Sequence, residues 1–219
     1  MPLVVIGDVH GKFNEYKAIA DKHKHTVQLG DFGFYTVWNR LEYSELNSYN
    51  HKVLCGNHDD YDIAPHSSFS LSDYGTANVG GISFFFIRGG LSIDKVYRVG
   101  EELGGSPKTW WSKEELTFSQ MLNCIEVYKC AKPDIVISHV PPACYINSMH
   151  KDNQILRRYK FHDGFQENTA LLGNELLKVH RPKLWISGHH HISHKDNTLD
   201  GVSFVGLAEL ETYEIGQEK

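Results

Sequence analysis

The chain of 219 residues predicts an α/β fold, a mostly parallel sheet with helices on its faces. Three observations carry this. Short apolar runs, rich in β-branched residues, recur along the chain and are cut off by glycine or a polar residue. Segments with helical spacing of apolar residues alternate with them. No internal repeat, low-complexity tract or interdomain linker breaks the alternation, so one domain over residues 1–219 is expected.

The elements follow in order. Leu3 to Ile6 reads as a buried strand ended by glycine. Residues 13 to 22 read as a helix, with Phe13, Tyr16, Ile19 and Ala20 on one side. Val27 to Leu29 is a second strand. Residues 38 to 49 carry a weaker helical pattern in Trp38, Leu41, Leu46 and Tyr49. Lys52 to Cys55 is a third strand. Residues 60 to 81 are rich in Ser, Asp and Gly and read as loop with short strands. Ile82 to Ile87 is a strand buried on both faces, ended by Gly89-Gly90. Residues 100 to 108 read as loop.

Ser112-Lys113-Glu114-Glu115 has the form of a capping box and predicts a helix start there, running to about Tyr128. Lys132-Pro133 ends that helix, and Ile135 to Ile137 is the next strand. Val140-Pro141-Pro142 forces extended backbone. Residues 143 to 166 are polar and mixed. A helix spans about Asn168 to Val179, Leu184 to Ser187 is a strand, and Thr198 to about Ile215 alternates as strands and turns.

Hydrophobic residues make up 41% of the chain, enough for a sizeable core, and the net charge is -5 with His neutral. A free-standing nucleic-acid binder would carry a basic face, and the total gives no sign of one. The four cysteines (Cys55, Cys124, Cys130, Cys144) lack CxxC spacing, no secretory signal precedes the first strand, and no apolar stretch is long enough to span a bilayer. Reduced thiols in a cytoplasmic protein without a membrane partner are the expectation.

Five polar fragments each follow an apolar run: Gly7-Asp8-Val9-His10-Gly11, Gly30-Asp31, Gly56-Asn57-His58-Asp59, Ser138-His139 and Gly188-His189-His190-His191. They supply Asp, Asn and His, which hold hard or borderline divalent cations. Strands in open α/β sheets deliver such residues to one edge at their C-terminal ends. The geometry therefore allows remote segments to converge.

In this order the fragments resemble the calcineurin-like metallophosphoesterase superfamily, from Asp8 to His191. The resemblance implies a four-layer α/β/β/α sandwich with two central sheets. It implies two divalent ions, manganese first, with Fe, Zn, Co or Ni as alternatives. Asp8, His10 and His191 would hold one ion; Asn57, His139 and His189 would hold the other; Asp31 would bridge them. A water made acidic by both ions would attack phosphorus, and His58 would contact phosphate and protonate the leaving oxygen. His190 reads as a spacer.

The pattern departs from the protein Ser/Thr phosphatases. Position 34 is Phe where many relatives have a second Asp, the following Arg-Gly is missing, and Asp59 stands where those phosphatases have Glu. Which of Asp59, Asp60 and Asp62 orients His58 stays open. Arg88-Gly89-Gly90, Ser92-Ile93-Asp94-Lys95, Arg98, Trp110-Trp111 and Glu114-Glu115 resemble a bacterial and phage subgroup. Arg88 is read two ways, as a fork of donors on the phosphate or as a salt bridge to Asp94 or another carboxylate. Arg98 reads as structural, and the tryptophan pair as packing a helix start rather than stacking on a base. Arg157, Arg158 and Lys160, interleaved with Tyr159 and Phe161 and flanked by His150 and His162, read as a solvated loop rather than a phosphate guide.

The expected function is hydrolysis of phosphate esters, as a phosphodiesterase or phosphatase acting on a small or nucleotide-like substrate. A phosphoprotein phosphatase is the first alternative, and a non-catalytic binding scaffold of the same fold the second.

Overall fold

Alternation along the first strand sets the architecture. In β1 (Leu3–Ile6) every side chain is buried, Leu3 and Val5 into one apolar layer and Val4 and Ile6 into another. Only a strand covered on both faces meets that demand. The computed structural model describes residues 2–34, 48–64, 67–149 and 167–216. The expected helix over 38 to 49 lies outside them except for the turn at 48–50, as do the 157–161 cluster, His150 and His162.

Two sheets form the centre. In the first, β1, β2 (Thr26–Gln28) and β3 (His51–Val53) run parallel, and β10 (Thr212–Ile215) closes the other edge antiparallel to β1. In the second, β5 (Ile82–Ile87), β6 (Ile135–Ser138), β7 (Leu184–Ser187) and β9 (Val202–Gly206) are parallel neighbours. Antiparallel strands β4 (Tyr74–Val79) and β8 (His194–Leu199) form its edges. The expected mostly parallel character holds within each sheet.

The apolar side chains sort into three layers. Leu3, Val5, Val27, Leu29, Phe84, Phe86, Ile137 and Ile186 fill the space between the sheets. Val4, Ile6, Phe32 and Val53 pack against Phe13, Tyr16 and Ala20 of α1 (Phe13–Ala20). On the far side of the larger sheet, Phe85, Val136, Trp185 and Phe204 pack against Cys124 and Tyr128 of α3 (Phe118–Ala131) and Leu172 and Leu176 of α5 (Asn168–Val179). The result is helix, sheet, sheet, helix. Two further helices are α2 (Lys95–Leu103), which buries no residue, and α4 (Ala143–Met149).

Three local expectations are corrected. The helix expected from Ser112 begins at Thr117, whose hydroxyl accepts from Gln120 N while the Gln120 side chain accepts from Thr117 N. Tertiary contacts claim the earlier glutamates: Glu114 is buried, and Glu115 accepts from Asn168 N at 2.9 Å, serving the start of α5 instead. The stretch around 100 is helical in α2, and α4 forms where no period was legible. Its neighbour Pro142 pre-sets that turn, its carbonyl accepting from Tyr145 N. The end of α3 is as expected: Lys132 adopts φ 42°, and Pro133 follows.

Candidate metal centre

The parallel strands of both sheets end on one rim, and their loops bring the polar fragments together. Asp8 and His10 follow β1, Asp31 follows β2, Asn57 and His58 follow β3, His139 follows β6, and His189 and His191 follow β7. Close packing depends on glycine at two of these turns. A Cβ on Gly56 would run into Asp31 Oδ1, and one on Gly188 into Asp8 Oδ1. Four of the converging residues hold left-handed backbone, His10 at φ 49°, Asp31 at 50°, His189 at 67° and His191 at 52°.

Two groups of side chains have the spacing to hold a cation, and they share one residue. Asp8, His10, Asp31 and His191 form one; Asp31, His139 and His189 form the other. In the first, His191 Nε2 lies 3.0 Å from Asp8 Oδ2 and 2.8 Å from His10 Nε2. His10 Nε2 is 3.8 Å from Asp31 Oδ2, while His139 Nε2 is 3.6 Å from Asp31 Oδ1. The two oxygens of Asp31 thus face different groups. Asn57 joins the second group through Oδ1, 3.1 Å from His139 Nε2.

The donor chemistry fits a cation. His139 Nδ1 lies 3.0 Å from the carbonyl of Leu29, which can only accept, so Nδ1 carries the proton. In the neutral ring Nε2 is then a lone pair, aimed at the amide oxygen of Asn57. A positive charge between them reconciles the two acceptors. Such an outer bond on a histidine is the usual partner of a metal-facing nitrogen.

The electrostatics suit a cation. Burial would raise Asp31, but the imidazoles of His58, His139 and His10 overcome it and hold its carboxyl at about 2. Burial drives His189 well below the ordinary imidazole range, with His190 and His139 adding to the effect. Both keep their metal-binding forms at neutral pH. Hydrogen bonding to Asp8 raises His191.

Asp59 acts on the backbone. Its oxygens accept from Phe32, Gly33, Phe34 and Gly56 N–H at 2.8–3.1 Å, tying the β2 and β3 loops together. Burial, and then Asp31, push it up to about 6. None of the three aspartates weighed for His58 reaches its ring: Asp60 accepts from Asp62 N, and Asp62 pairs with Lys113. The ring is met by Asn57 Nδ2, 3.2 Å from Nε2, and the His58 backbone N–H donates to Asp31 Oδ1 at 2.8 Å. Burial lowers the His58 pKa, and Asp31 opposes this.

Arg88 is corrected. Its Nε donates to Asp73 at 2.6 Å, its Nη1 to the Lys113 carbonyl at 2.7 Å, and its guanidinium covers Tyr61. The fork is buried in the protein and unavailable to a phosphate. Of its two readings the salt bridge stands, with Asp73 rather than Asp94, because Asp94 pairs with Arg98 at 2.7 Å. Trp111 is buried in the core, and Lys95 Nζ sits over the ring of Trp110.

Sequence reasoning missed Glu167. It is buried beside the second group, with Oε2 3.7 Å from His189 Nε2 and Oε1 accepting from Leu91 N at 2.6 Å. Burial pushes it up to about 8. It stands just before α5, and no spacing links it to the other fragments.

The model of the calcineurin-like phosphoesterase family matches residues 1–193. The chain belongs to the calcineurin-like phosphoesterase family. Membership makes it a hydrolase of phosphate ester bonds. No curated protein matches it. Among solved structures it is similar to GAP50, the anchor in the inner membrane complex of Plasmodium, at 13% identity and TM-score 0.47, covering 95% of this chain and 71% of that one. It is also similar to an archaeal phosphodiesterase at 12% identity and TM-score 0.38, covering 98% and 99%. A third is the Thermus thermophilus sulfate thiohydrolase SoxB, at 12% identity and TM-score 0.42, covering 93% and 38%. No helix among the described residues is long and apolar enough to cross a membrane.

Proposed function

We propose that this phosphoesterase hydrolyses a small or nucleotide-like phosphate ester at a pair of divalent ions. Asp8, His10 and His191 would hold one ion and Asn57, His139 and His189 the other, with Asp31 shared. The observation that carries the reading is that Asp31 alone belongs to both candidate groups. A carboxylate has two oxygens and a full negative charge, so it can serve two cations while offsetting their repulsion. Manganese is the first ion to load, as the family resemblance implies; the mixed carboxylate, amide and imidazole donors admit Fe, Zn, Co or Ni as well. When bound, the ions supply an acidified water and positive charge for the phosphoryl oxygens.

The chain's own part is positioning and proton transfer. Asp59 fixes the two loops that carry Asp31 and Asn57. His58 stands beside the ligand residues with its Nε2 turned to the amide of Asn57. Burial keeps its ring neutral, and an anionic phosphate beside it would favour the imidazolium, so protonation follows substrate arrival. The proton can then pass to the leaving oxygen. Arg88 takes no part.

The test is metal analysis with an ester panel. Wild-type protein dialysed against manganese should retain two ions and cleave p-nitrophenyl phosphate or its bis ester. Asp31→Asn should retain at most one ion and lose activity by about a thousandfold or more. Two tightly held ions in that variant, or a strong preference for phosphopeptides, would overturn the reading. His58→Ala should keep both ions and lose about a hundredfold or more on esters with poor leaving groups, and much less on p-nitrophenyl esters. Equal losses on both would remove the proton from its role.

A further inference from the structure

We infer that Glu114 and Ser92 form a positioning relay that turns the amide oxygen of Asn57, and not its nitrogen, towards the second cation site. This rests on the reading of Asn57 as a ligand. The two side chains lie outside every motif that carries the ligands, 35 and 57 residues along the chain from Asn57.

The relay follows from counting hydrogens. Ser92 Oγ lies 2.6 Å from Glu114 Oε2 and 3.1 Å from Asn57 Nδ2. A serine hydroxyl has one hydrogen, and a carboxylate accepts only. The hydrogen therefore goes to Glu114, and the oxygen of Ser92 is left as an acceptor. Only the NH2 edge of Asn57 can meet it; the carbonyl edge would set two lone pairs face to face. The second amide hydrogen points to His58 Nε2 at 3.2 Å. Both donors of Asn57 are then used, and Oδ1 is the atom left to face His139 Nε2 at 3.1 Å. An unassisted asparagine could rotate by half a turn and present nitrogen instead, with an N–H directed at the ion.

The relay is held stiffly. Asn57, Ser92 and Glu114 are all buried. The Glu114 carbonyl accepts from Gly90 N at 3.1 Å, and its N–H donates to the Trp111 carbonyl. Tyr61 Oη donates its one hydrogen to the carbonyl of Gly56 at 2.8 Å, directly before Asn57. Buried groups whose donors and acceptors are all matched specify one arrangement, and a carboxylate at the end gives the chain a direction.

The experiment compares Ser92→Ala, Ser92→Thr and Glu114→Gln with wild type. Calorimetric titration with manganese should show the weaker or later site losing about 10- to 100-fold in affinity in Ser92→Ala, the other site being unchanged. Ser92→Thr, which keeps the hydroxyl, should restore it. Glu114→Gln keeps the shape but can donate as well as accept, so it should fall between. In metal-free protein, nitrogen-labelled NMR should show the Asn57 side-chain NH2 protected from solvent exchange in wild type and exposed in Ser92→Ala. Free exchange in wild type overturns the relay whatever the variants do, as does unchanged second-site affinity in a folded Ser92→Ala protein. Retention of fewer than two ions by wild type would instead count against the ligand reading, and the metal-free NMR result would still decide the relay.

Discussion

At the residue scale, the site was legible wherever a side chain announced its chemistry. Asp8, His10, Asp31, Asn57, His139, His189 and His191 each follow a strand, and the loops bring them together. What stayed hidden were residues that act on other residues. Asp59 grips four backbone N–H groups, and its partners at 32 to 34 are joined to it only by the fold. Asp59→Ala would leave those donors buried and unmatched, a loss of about 3 kcal/mol or more in denaturant unfolding. Glu167 gives a pH prediction. Its carboxyl titrates at about 8 in the folded chain against an ordinary 4.5, so the native state holds the proton more tightly than the unfolded one. Its contribution is complete below about pH 4.5 and lost as pH rises towards about 8. Metal-free wild-type protein should therefore lose thermal stability across that window, and Glu167→Gln should flatten the decline. A decline of equal steepness in the variant would show that Glu167 is not its source.

At the element scale, strands were easier to read than helix starts. Ile82–Ile87 and Leu184–Ser187 are bounded by Gly or a polar residue and are buried as expected except at Ser83 and, in part, Leu184, because apolar runs at central positions have few other uses. The start of α3 was misread because Ser112-Lys113-Glu114-Glu115 and Thr117-Phe118-Ser119-Gln120 both carry the local signal. Tertiary burial of Glu114 decides between them, and local sequence carries no trace of that. Thr117→Ala should cost about 1 kcal/mol in chemical denaturation, as the loss of a helix cap does. Ser112→Ala should cost less than half as much; the reverse order would contradict the boundary.

At the scale of the whole molecule, the candidate centre bridges the two sheets. Asp8, Asp31 and Asn57 come from the smaller sheet, and His139, His189 and His191 from the larger. Between the sheets lies a layer of Leu, Val, Ile and Phe, crossed at the rim by hydrogen bonds such as His139 Nδ1 to the Leu29 carbonyl. Bound ions would add to those links at one rim and stabilise the fold by linkage, about 2.7 kcal/mol per site at a free concentration one hundred times Kd. Chelation should lower the melting temperature by several degrees, with the earliest gain in hydrogen exchange along the C-terminal ends of β1, β6 and β7. A melting temperature indifferent to chelator would mean that the ions do not connect the layers. Two sheets rather than one could not be read from periodicity, since central strands such as β1 and β6 are apolar on both faces in either arrangement. That division came from the family resemblance.

The left-handed backbone at His10, Asp31, His189 and His191 has one more consequence. Each such residue sits about 1 kcal/mol or more above relaxed geometry, so the empty protein is tense where it is meant to work. His10→Gly should thus melt later than its parent once both are stripped of metal, while failing to retain manganese. Glycine at these four places would relax the backbone and would remove the side chains on which the proposed metal sites depend.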